Sequence, residues 1–158
     1  MSKLPISVQG MNKLKDALKH LKEVERPAIL AAVQTARELG DLSENADYKT
    51  AKDQQRHIDA EIRRIEGIVN NADVIDVDSL TGTAIMFGAN VTLEDEDGAV
   101  IKYKILSEHE SDLSLGVISI TSPIARSMVG KSKGDGFVVR TPSGEKEYTV
   151  IDVKYGRD

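Results

Sequence analysis

Gly40-Asp41-Leu42-Ser43-Glu44-Asn45 stands between two long amphipathic patterns, and reading it as a bend decides the fold of the first half of the chain. Upstream, Met11, Leu14, Leu18 and Leu21 step by 3, 4 and 3, the seam spacing of a coiled coil. Val24, Ala28, Ile29 and Val33 continue the apolar stripe with a shift of phase around Pro27. Proline removes a helix donor, so a kink, or a break with restart, is predicted there. Ala31, Ala32, Ala36 and Leu39 carry helix up to Gly40, a residue suited to the position just past a helix end. Downstream, Gln55, Ile58, Ile62, Ile65 and Val69 step by 3, 4, 3 and 4. Two such seams joined by a few residues pair antiparallel. A first helix of about 30 residues would run about 45 Å at 1.5 Å per residue, a finger with the bend at its end.

Composition agrees with an exposed helical element beside a modest core. Of 158 residues, 30% are charged and only 4% aromatic, with two Phe and no Trp. The absence of cysteine excludes disulfides, thiol catalysis and zinc sites with Cys ligands. Met1-Ser2-Lys3-Leu4-Pro5 opens no apolar run of signal-peptide length, and no stretch reaches the length of a membrane span, so a soluble cytoplasmic protein is expected. The net charge is −5. Residues 1–77 hold 12 Lys+Arg against 13 Asp+Glu, and the remainder 9 against 13. Neither half has the basic excess needed to hold duplex nucleic acid by its own electrostatics.

Asn70-Asn71-Ala72-Asp73 ends the helical pattern, and the period then becomes strand-like. Ile85-Met86-Phe87 and Val91-Thr92-Leu93 precede Glu94-Asp95-Glu96-Asp97-Gly98, an acidic turn of the Asp-Gly type. Val100 to Leu106 alternates apolar with polar, and Val117-Ile118-Ser119-Ile120 reads as a further strand. Ser122-Pro123 opens a short helix as N-cap and first residue, and Gly130 closes it. Phe137 to Arg140 and Glu147 to Ile151 flank Pro142-Ser143-Gly144 as a hairpin. The expected class is α+β: an antiparallel coiled-coil hairpin over residues 1–77, then a small antiparallel β-sheet domain with a short helix over residues 78–158.

The bend itself reads two ways. Asp41-Leu42-Ser43-Glu44 fits a capping box, with acids placed to suit the positive end of the following helix. Carboxylates at i and i+3 also suit a hard cation such as Mg²⁺, which wants near-octahedral oxygen and keeps one or two carboxylates plus waters and substrate phosphates. Two acids are only part of such a site, so a partner must supply the rest. Arg37 lies about one turn before the bend, and Lys49, Lys52 and Arg56 follow it. These read as a solvated face paired with Asp53 and Asp59, or as a patch steadying an RNA phosphate. Tyr48 could stack on a base or shield the helix pair. His20, His57 and His109 are isolated in sequence and read as surface residues.

Ala36-Arg37-Glu38-Leu39-Gly40-Asp41-Leu42-Ser43-Glu44-Asn45-Ala46-Asp47-Tyr48 closely resembles the tip of the bacterial Gre transcript-cleavage factors, and Ser122-Pro123-Ile124-Ala125-Arg126-Ser127-Met128-Val129-Gly130-Lys131 resembles the family's C-terminal signature. The likeness covers essentially the whole chain, in order and spacing. It implies a coiled-coil finger that enters the secondary channel of a backtracked bacterial RNA polymerase, and an FKBP-like domain that holds the channel rim. By the same resemblance, Asp41 and Glu44 would share a Mg²⁺ with the polymerase's catalytic aspartates and position the water, with no cofactor held tightly by the free protein. Arg37, Lys49, Lys52 and Arg56 would form the basic patch toward the RNA 3′ end. Asn45 and Tyr48 would shape or contact the tip, and Ser122, Pro123 and Ile124 would bind the rim. Asp47 stands where Glu is more usual. The near-neutral finger is more like the type acting on shortly backtracked complexes. The protein would be a cofactor of the polymerase's own hydrolysis rather than an enzyme, monomeric when free and away from membranes. Competing readings are a channel-binding regulator without cleavage, a structural coiled-coil adaptor, and a prolyl isomerase. The last would need an aromatic-lined pocket from Phe87, Tyr103, Phe137, Tyr148 and Tyr155.

Overall fold

The computed structural model describes residues 3–39 and 45–156; the bend residues 40–44, Asp41 and Glu44 among them, lie outside the described residues. The chain divides into two compact units, Met11–Ala72 and a second made of Met1–Gly10 with Asp73–Asp158. The division by packing therefore differs from one at residues 77 and 78. The physical reason is a short strand that the periodicity did not announce: β1 (Leu4–Ser7) pairs with β2 (Ala72–Ile75).

The helical unit is built on the two seams. α1 (Val8–His20) passes into a π-helical turn, Leu21–Glu25, and then into α2 (Arg26–Glu38), while α3 (Ala46–Asn71) returns antiparallel. Pro27 neither breaks the helix nor restarts it: His20, Glu25 and Arg26 all keep right-handed helical dihedrals. The Arg26 N–H reaches back five residues to the Leu21 carbonyl, and Pro27 then sits in the first turn of α2. Widening the ladder just before proline relieves the position where an N–H is missing. It also inserts one residue into the seam. Leu21 and Ile29 are buried eight residues apart where a heptad would give seven, and Val33 and Ala36 follow in the new phase. Val24, expected on the stripe, is 53% exposed, and Ala28 also faces solvent.

On α3 Tyr48, Ala51, Gln55, Ile58, Ile62, Ile65 and Val69 are each buried or half-buried at seam spacing, so the seam extends one heptad further toward the bend than the run from Gln55 to Val69 announces. Leu21 packs with Ile62 and Ile65, flanked by Leu14, Leu18, Ile58 and Val69. Ile29 and Val33 pack with Ala51, flanked by Tyr48 and Ile58. Each fully buried aliphatic side chain contributes roughly 1.5–3 kcal/mol. Two ion pairs cross the pair of helices at its edge, Lys22 to Glu66 at 3.4 Å and Arg26 to Asp59 at 3.0 Å.

The second unit carries a five-stranded sheet in the order β5-β4-β3-β7-β6, with β3 Asn90–Asp95, β4 Val100–Leu106, β5 Val117–Ser119, β6 Gly136–Thr141 and β7 Gly144–Lys154. All neighbours are antiparallel except β4 and β5, which run parallel, so the sheet is mixed rather than wholly antiparallel. The acidic turn closes as read: the Asp95 carboxylate accepts from the N–H groups of Asp97 and Ala99, and Gly98 takes φ +83°. Alternation places Val91 and Leu93 in the core with Ile105, Val139 and Val150. α4 (Pro123–Met128) lays Ala125 and Met128 onto the same core.

Candidate functional site

The described edges of the bend are tied by one side chain. α3 begins at Ala46, and its N-cap is Asn45, whose Oδ1 accepts from the Tyr48 N–H at 3.0 Å. The capping box read at Asp41-Leu42-Ser43-Glu44 makes Asp41 the N-cap; the role falls to Asn45 instead. Both satisfy the local capping rule; the choice follows from a contact distant in sequence. The Asn45 amide nitrogen donates to the Ala36 carbonyl at 2.6 Å, at the C-terminal end of α2. Sequence spacing alone carries no signal for that bond.

Arg37 lies beside this tie, with its guanidinium carbon 5.8 Å from the centroid of the Tyr48 ring. Hydrogen bonding from Arg37 lowers the Tyr48 phenol below its ordinary value, with the charges of Arg37, Lys52 and Arg56 acting in the same direction against a smaller desolvation effect. One face of Tyr48 is thus already occupied by a cation, and a base stacking there must displace it. The other basic residues are engaged locally. Lys52 donates to Gln55 at 3.1 Å, and Arg56 pairs with Asp53 at 2.7 Å, both partners well exposed. Asp59, an expected partner of this face, pairs with Arg26 instead. Lys49 is exposed on the first turn of α3. The exposed Arg56–Asp53 pair contributes at most about 1 kcal/mol.

The described residues contain no group of three or more His, Asp or Glu that could hold a metal. His20 lies 3.2 Å from Glu25 and His109 3.7 Å from Glu108, single pairs rather than clusters. Among the described residues, no helix is long and apolar enough to cross a membrane.

The second sequence motif forms the start of α4. Ser122 caps it, its hydroxyl accepting from the Ala125 N–H at 3.3 Å and donating to the Ser119 carbonyl at 2.6 Å. Pro123 occupies the first turn and is exposed, whereas Ile124 is half-buried against the sheet core. Gly130 closes the motif at φ +87°, its N–H donating to the Ile85 carbonyl at 2.7 Å. Ser122 and Pro123 are therefore presented on a loop anchored from both sides. Four of the five aromatics invoked for an isomerase pocket are buried or make contacts within the domain. Phe87 and Phe137 are buried, Phe137 stacks on Tyr148 at 5.5 Å, and the Tyr155 hydroxyl donates to the Ala84 carbonyl while accepting from the Met86 N–H.

Comparison with known proteins places both motifs in one family. Residues 4–74 match the model described as transcription elongation factor, N-terminal, and residues 80–155 match transcription elongation factor, GreA/GreB, C-term. Transcription elongation factor GreA of Anaeromyxobacter sp. strain K is 48% identical over 98% of this chain and 94% of its own length. GreA of Ruegeria pomeroyi is 47% identical, covering 98% and 99% respectively. Among solved structures, Thermus aquaticus Gfh1 is 26% identical over 97% of this chain and 99% of its own, with a TM-score of 0.45. Two domain models matched in order, with relatives above 40% identity along nearly the whole length, decide the matter: the chain belongs to the GreA/GreB transcription elongation factor family.

Proposed function

We propose that this factor inserts the bend of its helical unit into the secondary channel of a bacterial RNA polymerase and stimulates the polymerase's own hydrolysis of backtracked RNA 3′ ends, acting in the cytoplasm as a monomer. The observation that carries this reading is the match of both halves of the chain to a family of transcription elongation factors, with the α3 cap standing at Asn45. Asp41 and Glu44 supply hard, anionic oxygen donors, a set suited to Mg²⁺ but short of a full coordination shell. They would hold that ion jointly with the polymerase active site, where it supplies charge stabilisation for the attacking and leaving oxygens. The same carboxylates accept hydrogen bonds from the attacking water and orient it.

Arg37, Lys49, Lys52 and Arg56 would meet the RNA near its 3′ end, with exposed Asp53 giving up Arg56 to phosphate. Ser122 and Pro123 would hold the channel rim, with Ile124 fixing the loop to its own domain. A channel-binding regulator without cleavage shares every one of these contacts and differs only at Asp41 and Glu44. Purified factor added to a stalled elongation complex carrying 5′-labelled RNA should shorten the transcript within minutes. Saturating factor that leaves RNA length unchanged would assign it to the regulator class.

A further inference from the structure

We propose that Asn45 is a positioning residue for transcript cleavage: its single amide group bridges the end of α2 and the start of α3, and so fixes the gap across which residues 40–44 carry Asp41 and Glu44. This rests on the role proposed above for those two acids.

Helix ends leave carbonyls unpaired at one terminus and N–H groups unpaired at the other. The Ala36 carbonyl belongs to the first set and the Tyr48 N–H to the second, and Asn45 serves both, at 2.6 and 3.0 Å. Capping alone does not require asparagine, since Asp and Ser cap as well. Serving the two from separate atoms, Nδ2 and Oδ1, does require an amide, since a hydroxyl such as that of Ser122 has one oxygen for both. The reversed amide would set its NH₂ against the Tyr48 N–H and its oxygen against the Ala36 carbonyl, so the network admits one orientation. A second tie runs alongside: Arg37, next after Ala36, lies over the ring of Tyr48, the residue whose N–H is capped. Two adjacent residues at the end of α2 are thereby joined to the first turn of α3. A five-residue bridge with pinned ends samples fewer arrangements than one with free ends. Carboxylates that must meet a partner's metal gain directly from that restriction, because a displacement of about 1 Å can cost about 100-fold in rate.

Asn45→Asp and Asn45→Ser each keep an oxygen for the Tyr48 N–H and lose the separate Nδ2 donor that reaches Ala36; the first adds charge and the second does not. Full-length variants are titrated into a backtracked bacterial polymerase complex with labelled RNA, reading the half-saturating concentration and the maximal cleavage rate separately, with helicity followed by circular dichroism. Both variants are expected to keep parental helicity and a half-saturating concentration within about two-fold, while the maximal rate falls about 10- to 100-fold. A parental maximal rate in Asn45→Ser, in an assay where Asp41→Asn with Glu44→Gln abolishes cleavage, overturns the bridge and spares the acids. A higher half-saturating concentration at unchanged maximal rate also overturns it, since Asn45 would then act in docking. If the double acid variant cleaves normally, the reading of the acids fails and this one with it.

Discussion

Gly10 lies in the first turns of α1, where alanine would ordinarily be the better helix former by about 1 kcal/mol. A Cβ at that position would overlap the Glu110 carboxylate. That carboxylate is held in place: it accepts from the hydroxyls of Ser7 and Ser107 and from both their N–H groups, and Ser7 and Ser107 are buried. The Ser7 hydroxyl in turn caps α1 by accepting from the Gly10 N–H at 3.0 Å. Gly10→Ala must therefore dislodge a charged acceptor, and should destabilise the sheet-bearing unit by about 1–3 kcal/mol in urea unfolding followed by tyrosine fluorescence. With Glu110→Ala already in place the same change should become neutral or stabilising by up to about 1 kcal/mol. Nothing in the local sequence around Gly10 foretells this, because its partner is 100 residues away. The four tyrosines offer a second residue-scale check. Tyr48 is lowered by Arg37, whereas burial raises Tyr103 and Tyr155, with the nearby Tyr148 adding to the rise at Tyr103. An alkaline absorbance titration should show Tyr48 ionising before Tyr103 and Tyr155, and Arg37→Ala should move the Tyr48 step upward. The linkage signs are opposite. Tyr48 adds stability only as it ionises in alkali, while the contribution of Tyr103 and Tyr155 is complete below the ordinary phenol value and fades as pH rises through their folded values. A Tyr48 ionisation unmoved by Arg37→Ala would contradict the contact.

At the scale of elements, the two helical seams were legible because burial on a helix repeats every three to four residues. The phase shift near Pro27 was legible too. Its form was not: sequence offered a kink or a break, and the chain uses a π-helical turn that carries one extra residue past the seam. Removing Glu23 together with Pro27→Ala should convert the turn to regular α-helix and leave Ile29, Val33 and Ala36 in register. The melting curve should then match the parent within about 1 kcal/mol. Removing Leu30 instead moves Val33 and Ala36 off the seam and should cost at least about 3 kcal/mol, the range for deleting buried aliphatic packing. Equal losses in the two deletions would show that the extra residue has no such function. The ribbon of β1 and β2 escaped prediction because four-residue strands hold too few alternations to show a period, and Leu4 and Val74 face solvent. The parallel pairing of β4 with β5 escaped as well, since alternation reports which face is buried and not which way a neighbour runs.

Across the whole molecule, a near-neutral helical unit and an acidic remainder argue against holding nucleic acid by bulk charge, and the family is one of transcription elongation factors. The short helix opened by Ser122 and Pro123 was readable from motif and spacing. What spacing could not decide was whether Asp41 capped α3 or was available for chemistry, because a capping box and a half-built metal site use the same residues. Asn45 at the cap makes the two separable by experiment. Asp41→Asn with Glu44→Gln removes both charges while keeping size, and leaves the α3 cap in place. The most direct measurement pairs RNA cleavage in a backtracked elongation complex with competition against the parent factor for the same complex. The double variant should fold with parental helicity and compete with unchanged affinity, yet yield no shortened RNA. Retained cleavage, or loss of competition together with cleavage, would contradict the claim that these two acids are the chain's contribution to a shared active site.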